Sequence, residues 1–355
     1  MTVYKQCVGI DISKDTFTAC VCSRDQIDQL TYSEVHCFDN DKKGFNQMMR
    51  WVRKNTSKQV PILLLMEATG VYYENLAHHL HKINQAVAVV LPNSSKHYFS
   101  SLNVKTKTDA VDAKVLSRFG VERAHRSWSP PSAVLLELRN LTRYHVQLLE
   151  QRTALLNIKH SKDAAHQVQS FILASNKKLV NNIDQQIEKC KKQIHLLIKT
   201  DKQLQSKVDK LLSVKGVGLI TVATIIAETL GFEHVRNAKQ LVSYAGYDVV
   251  QRESGTSIKG KTRISKKGNR YIRNALYFPA MVACRHNPEL KSTYLRIIQR
   301  KPSKMIGQVA IQRKLLKLMF TLWKNDTTYI EDYQKKVART KKAQATLDSP
   351  VMELL

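Results

Sequence analysis

The sequence predicts an α/β plus α architecture: an N-terminal mixed sheet flanked by helices, a central helical coiled coil, and a C-terminal, mostly helical domain. Three observations carry this. Short β-rich runs alternate with helical segments as far as about residue 125. From 133 to 212, Leu, Ile and Val recur at helical spacing, and no Pro or Gly interrupts them. From 213 onward, glycines again punctuate shorter segments. The expected boundaries are 1–128, 129–212 and 213–332, with a mobile basic tail over 333–355 that has little to bury.

In order, VYKQCVGI, TFTACVC and LTYSEVHCF read as strands, followed by a helix near 41–54. PILLLME and AVAVVLP are further strands, with a helix near 71–83 between them and another carrying DAVDAKVLSRFG after them. Successive strands followed by helix–strand alternation make a mixed sheet. After the SPP break at 129–131, LLELRNLTRYHVQLLEQRTALLNIKH and IDQQIEKCKKQIHLLIK are amphipathic helices, read as an antiparallel pair or coiled coil. They serve either as a spacer or as a dimerising or RNA-gripping arm. SVKGVGLITVATIIAETLG, NAKQLVSYAGY, a Gly- and Lys/Arg-rich stretch and two or more helices complete the chain.

Charge narrows the partner. The chain has 57 Lys plus Arg against 29 Asp plus Glu, a net +28, which points to a polyanion and first to nucleic acid. The six cysteines form no CxxC pair and no zinc ladder, so reduced, mostly buried thiols are expected. The start lacks a signal-peptide pattern, and no apolar stretch is long enough to span a bilayer. A cytoplasmic, nucleoid-associated protein without membrane contact is expected. The HHLH cluster at 78–81 reads as surface histidines rather than a metal site.

Acidic residues are scarce, so their placement is informative. Asp11 ends the run CVGID, Glu67 ends PILLLME, and Asp109 and Asp112 sit three apart in KTDAVDAK, on one side of a helix. Carboxylates converging on one point repel unless a cation lies between them. Two Mg²⁺ ions would satisfy four such groups, because hard oxygen ligands suit Mg²⁺ and a metal pair can act on both oxygens of a phosphodiester displacement.

The second chemical signal is QRESGTSIKGKTRISKKGNRYIRNAL. Ser254 and Ser257 lie in a Gly-rich context, followed by Lys259, Lys261, Arg263, Lys266, Lys267, Arg270 and Arg273. A serine here acts either as a nucleophile on a clamped phosphate or as a hydrogen-bond donor in a phosphate-binding loop. Upstream, Lys215, Gly216 and Gly218 in SVKGVGL look like half of a helix-hairpin-helix, whose amides face a DNA phosphate.

Taken together, GIDISKD, LLMEATGVY, KTDAVDAK, the GVG turn with YAGY, and SGTSIKGKTRISKKGNRYIRNAL resemble, in order, the DEDD-type insertion-sequence transposases that use a bridge RNA, a family of serine-containing recombinases. The resemblance runs from residue 3 to about 325. It implies a RuvC-like (ribonuclease-H-like) N-terminal domain, a coiled-coil linker and a C-terminal transposase domain. It further implies that Asp11, Glu67, Asp109 and Asp112 are metal-binding catalytic acids, and that Ser254 is the nucleophile of a covalent phosphoserine–DNA intermediate, with Ser257 as the fallback. The implied partners are donor and target DNA, a noncoding guide RNA, and further copies of the chain in a tetramer with composite active sites.

Two other readings use the same residues. A junction-resolving nuclease needs the acids but not Ser254, and a nonenzymatic nucleic-acid-binding protein needs only the basic surface. GIDISKDTF also resembles the first phosphate loop of the actin and sugar-kinase fold. Ser13, Lys14 and Asp15 replace its glycine turn, however, and no second phosphate loop follows.

Overall fold

The structure, a computed structural model, describes residues 3–233, 235–251, 253–255, 257–260, 262–300 and 303–330 of the 355. Lys261 and the tail expected at 333–355 lie outside the described residues. The chain forms two compact units that divide between Pro130 and Pro131.

The first unit is built on a six-stranded mixed sheet. β1 (Val3–Ile12) and β2 (Thr16–Asp25) form an antiparallel hairpin, closed by Ser13, whose amide donates to Thr16 O at 2.9 Å. The run read as one strand, LTYSEVHCF, is two: β3 (Leu30–Tyr32) and β4 (His36–Asp39), both paired to β2. α1 (Lys42–Asn55) then leads to β5 (Ile62–Glu67), α2 (Glu74–Lys82) and β6 (Ala86–Val90). The order is β3-β2-β1-β5-β6, with β5 and β6 parallel to β1.

Two helices follow. α3 (Pro92–Ser101) was not foreseen, although Pro at the first helical position is its ordinary signature. α4 (Asp109–Glu122) carries the DAVDAK segment.

Strand alternation sorts side chains to opposite faces. Val8, Ile10, Leu64 and Met66 pack with Phe45, Met48 and Val52 of α1 and Leu76 and Leu80 of α2. Cys7, Leu65 and Ala88 pack instead with Tyr98 of α3 and Val115, Leu116 and Phe119 of α4. By the same parity, Gly9, Asp11 and Glu67 belong to the α4 face. α4 sits unusually close to β1: a Cβ built on Gly9 would lie 2.1 Å from Ser117 N and 2.2 Å from Ala113 O.

The second unit begins with two 31-residue helices, α5 (Ala133–Asp163) and α6 (Ser170–Thr200). They run antiparallel, since Cys190 Sγ meets Leu141 O and Asn176 Nδ2 meets Leu155 O. α7 (Lys202–Leu212) is separated from α6 by Asp201, which caps it by accepting from the amides of Gln203 and Leu204. α8 (Leu219–Thr229) and α9 (Ala238–Tyr244) come next, then the short strands β7 (Val249–Val250), β8 (Glu253–Ser254), β9 (Ile258–Lys259) and β10 (Arg263–Ile264). α10 (Arg270–Ala275), α11 (Tyr277–His286), α12 (Pro288–Arg300) and α13 (Lys304–Asn325) complete it. Leu138 and Leu148 of α5 and Ile194 of α6 share one core with Ile225 of α8 and Leu315 of α13, so the helices of 129–212 and those that follow are packed as one body.

Of the cysteines, Cys7, Cys20, Cys22 and Cys190 are buried, Cys284 is half-buried and Cys37 is exposed; all are free thiols. Among the described residues no helix is long and apolar enough to cross a membrane.

Candidate active site

Asp11 and Glu67 end neighbouring parallel strands. The register pairs Ile10 with Met66, so the next residues along β1 and β5 are Asp11 and Glu67, side by side on the α4 face. Glu67 is held from α3: buried Ser95 donates through Oγ to Glu67 Oε2 at 2.6 Å. Sequence reasoning missed Ser95 because it missed α3.

α4 supplies the other two acids from its first turn, where carboxylates are favoured by the helix dipole. Thr108 caps the helix, its Oγ1 accepting from Val111 N at 3.3 Å. Asp109 is exposed and Asp112 is half-buried.

Electrostatics ties the four together. Burial pushes the Asp11 carboxyl up to about 6, and Asp112, Asp109 and Glu67 each push it in the same direction. Burial also raises Asp112, with Glu67 and Asp109 adding to the rise and Lys107 opposing it. Asp112 Oδ1 is buried with no hydrogen-bond partner. An orphaned carboxylate oxygen facing other carboxylates fits a cation better than it fits any protein donor nearby. Among the described residues, no three His, Cys, Asp or Glu side chains have their donors already drawn together on one point. The acids fit a hard divalent ion in their chemistry and in the unsatisfied Asp112 oxygen, but as placed they do not form a metal-holding group.

The histidines at 78–81 are spent on packing. His78 and His81 are exposed, as expected, with rings perpendicular to that of Trp128, and His79 is partly buried against Phe45. His79 departs in this from the surface position expected of it.

In the second unit, Ser254 lies on β8, paired across to Ile258 on β9. Ser254, Gly255 and Ser257 are exposed, and Gly255 has φ +55° with open space where a Cβ would stand. β9 also carries Lys259, and Arg263 opens β10, which pairs with β7.

The KKGNR turn is stitched to the end of α9. Lys266 N donates to Gly246 O at 3.1 Å and Asn269 N to Tyr244 O at 2.8 Å. A Cβ on Gly268 would come within 2.6 Å of both Tyr244 O and Gly246 N. Lys266, Lys267 and Arg270 are exposed. Arg273 is turned inward, its Nη1 donating to Ala245 O at 2.8 Å and near Gly268 O at 3.1 Å.

Beneath this turn is a residue the sequence did not single out. Glu228 of α8 is buried; its carboxylate accepts from Arg143 Nε at 2.7 Å, Arg143 Nη2 at 2.9 Å and Asn269 Nδ2 at 2.6 Å. Asn269 also caps α10, so Glu228 anchors the basic turn from below. Its partner on α5 lies 85 positions away in sequence, which is why no local pattern marks it.

The Gly-Val-Gly turn joins α7 to α8. Gly216 has φ +86°, and a Cβ there would strike Val282 Cγ1 of α11 at 2.6 Å. Gly218 begins α8 with no side-chain cap and nothing within 4 Å of its Cβ position, and Lys215 is exposed beside it.

Comparison with known proteins finds two matched segments, the first of which runs past the Pro130–Pro131 boundary into α5. Residues 8–161 match the DEDD family of IS110 type, described as "Transposase". Residues 208–295 match the family described as "Transposase IS116/IS110/IS902 family". The chain is 28% identical over 323 residues to the "Pilin gene-inverting protein" of Moraxella bovis, covering 90% of this chain and 95% of that protein. It is 22% identical to the "Probable family 20 transposase" of Pseudomonas aeruginosa, covering 91% and 98%. Identity to the "Transposase for insertion sequence element IS1111A" of Coxiella burnetii is also 22%, covering 91% and 90%. With the acids inside the first matched segment and the Gly-Val-Gly turn, Ser254 and the basic turn inside the second, the chain belongs to the IS110/IS116 family of insertion-sequence transposases.

Proposed function

We propose that this transposase is an RNA-guided DNA recombinase that exchanges strands between donor and target DNA, using Mg²⁺ bound by Asp11, Glu67, Asp109 and Asp112 and a covalent link through Ser254. The observation that carries the metal site is the repulsion that Asp112, Asp109 and Glu67 each exert on Asp11, together with the orphaned Asp112 oxygen. A DEDD-type domain uses divalent metal, typically Mg²⁺. Two such ions would polarise the scissile phosphate and stabilise the leaving oxygen.

The chain's own residues supply the rest. Ser95 holds the Glu67 carboxylate in place, and the capped first turn of α4 presents Asp109 and Asp112. Ser254 Oγ would form a new P–O bond as one deoxyribose C–O–P linkage breaks. The hydroxyl proton passes to solvent and the departing oxygen takes one up, so the phosphodiester count is conserved and the step reverses for rejoining. What supports this role is an exposed serine on a tight hairpin beside a run of cations. The open N-terminus of α8 at Gly218, with Lys215, is proposed as a helix-hairpin-helix contact to DNA phosphates. We place the guide RNA and a tetramer with composite active sites in the same reading.

The test is adduct trapping with Mg²⁺, guide RNA and donor DNA. A protein–DNA adduct lost in Ser254→Ala and kept in Ser257→Ala, with both adduct and cleavage lost in Asp11→Ala, is the expected result. Metal-dependent cleavage that continues in Ser254→Ala would instead identify a nuclease of the junction-resolving kind. An adduct that survives Ser254→Ala removes that serine from the mechanism.

A further inference from the structure

The helices α1 and α4 pack on opposite faces of the N-terminal sheet. The carboxylates belong to the α4 face. On the α1 side, between that helix and β4, lies an open cavity of 340 Å³, within the roughly 300–1,000 Å³ range of small-ligand sites. Its wall is made of two chemistries. His36, Phe38 and Trp51 supply aromatic rings, and Arg50 and Lys54 supply positive charge.

The local sequence explains the composition. α1 buries Phe45, Met48, Met49 and Val52 against the sheet. Gln47, Arg50, Trp51 and Lys54 recur at i, i+3, i+4 and i+7, so they form one stripe flanking the buried face. Trp51 closes against β4: its ring lies 6.1 Å from His36 at an interplanar angle of 20°, and 5.8 Å from Phe38, edge on. No lining residue is acidic, and among the described residues neither Arg50 nor Lys54 is paired with a carboxylate. Asp41, the nearest acid in sequence to α1, is occupied capping that helix through Gly44 N.

We infer that this cavity binds an unpaired nucleotide of a single-stranded nucleic acid, its base stacked on the Trp51 and His36 rings and its flanking phosphates on Arg50 and Lys54. Aromatic faces beside unpaired cations are the general means of holding single strands, because every base offers a π-face and every linkage a negative charge. A duplex cannot occupy the site in this way, since its bases already stack on one another. The inference takes from the proposed function only that a nucleic acid partner exists, and it is independent of the metal site and of Ser254.

Photocrosslinking makes the test local, because the two stacking rings themselves are the reporters. A 15-mer oligouridylate, a 15-mer oligothymidylate and a 15-base-pair duplex, each carrying iodinated uracil, are irradiated with the full-length protein in EDTA, and the adducts are mapped by peptide mass spectrometry. An adduct on Trp51 or His36 with a single strand and not with the duplex is expected, and the better of the two single strands tells whether RNA or DNA is the ligand. Trp51→Leu should weaken single-strand binding about tenfold or more, in keeping with the loss of one base stack. The exposed pair Arg50→Glu and Lys54→Glu should abolish the adduct without altering the thermal transition, so a folding defect in the tryptophan variant does not leave the matter open. Working in EDTA removes any dependence on the metal site, which separates failure here from failure of the strand-exchange reading. No adduct on either ring in a complex saturated with single strand overturns the inference. So does equal crosslinking by the duplex, or an undiminished adduct in the charge-reversed pair.

Discussion

Gly9→Ala adds one methyl group, and the structure says where it goes. The new Cβ would lie 2.1 Å from Ser117 N, 2.2 Å from Ala113 O and 2.7 Å from Leu116 C, all backbone atoms of α4. Ordinary contact begins at 3.4 Å, so the helix must retreat by about 1.3 Å. Backbone cannot rotate away as a side chain can, which puts the cost at the upper end of overpacking, about 3 kcal/mol. The retreat also carries Asp109 and Asp112 away from Asp11 and Glu67. A displacement of about 1 Å at a catalytic centre costs on the order of a hundredfold in rate. The assay is urea unfolding of the variant alongside Mg²⁺-dependent DNA cleavage. Elsewhere in a strand, Gly→Ala is neutral or mildly stabilising. A variant within about 0.5 kcal/mol of wild type and cleaving at the wild-type rate would refute the close contact between β1 and α4 and the dependence of the site upon it.

The other predictions concern single groups. Glu228→Ala strips the buried partner from Arg143 and Asn269 and should destabilise the second unit by about 1–3 kcal/mol in chemical unfolding, the partly exposed Arg143 being solvated when its partner goes; a loss below about 0.5 kcal/mol would show the network to be dispensable. Ser95→Ala frees Glu67 and should weaken Mg²⁺ binding, measured calorimetrically, by about 10- to 100-fold with little change in fold. Saturating Mg²⁺ at about 100 times its Kd should stabilise the wild type by about 2.7 kcal/mol. Asp112→Asn should lose that metal-dependent rise in thermal unfolding while gaining stability without metal, since it removes a repelling carboxylate.

A pH prediction rests on His145, which is buried and lowered from its ordinary value by burial and by Lys191. A depressed histidine contributes stability above its unfolded value near 6.5, and that contribution is lost as pH falls through the lower folded value. His145→Leu should therefore reduce the loss of stability between pH 7.5 and pH 5. An unchanged pH slope in thermal unfolding would remove His145 from that balance.

How far a residue was legible depended on the range of the interaction that defines it. Asp11, Glu67, Asp109 and Asp112 could be singled out because each sits at the end of a strand or the start of a helix, and those elements announce themselves through periodicity and capping within a dozen residues. The basic turn from Lys266 to Arg273 was visible as composition. Which of its cations turns inward was not, because the inward turn of Arg273 depends on carbonyls of Ala245 and Gly268 that only the folded chain brings together. The split of LTYSEVHCF into β3 and β4 is likewise a matter of which residues of β2 are left to pair.

By itself, the sequence determined the alternation of strand and helix, the polyanion-seeking charge, the order of the acids and the placement of Ser254 in a glycine-rich stretch, all of which are local or additive properties. Tertiary structure decided the rest. It alone brought Glu228 beneath the KKGNR turn, hung Glu67 from Ser95, pressed α4 onto Gly9 and set Trp51 against His36. Each of these joins elements whose separation along the chain carries no pattern, since close packing, and not spacing, selects the partners.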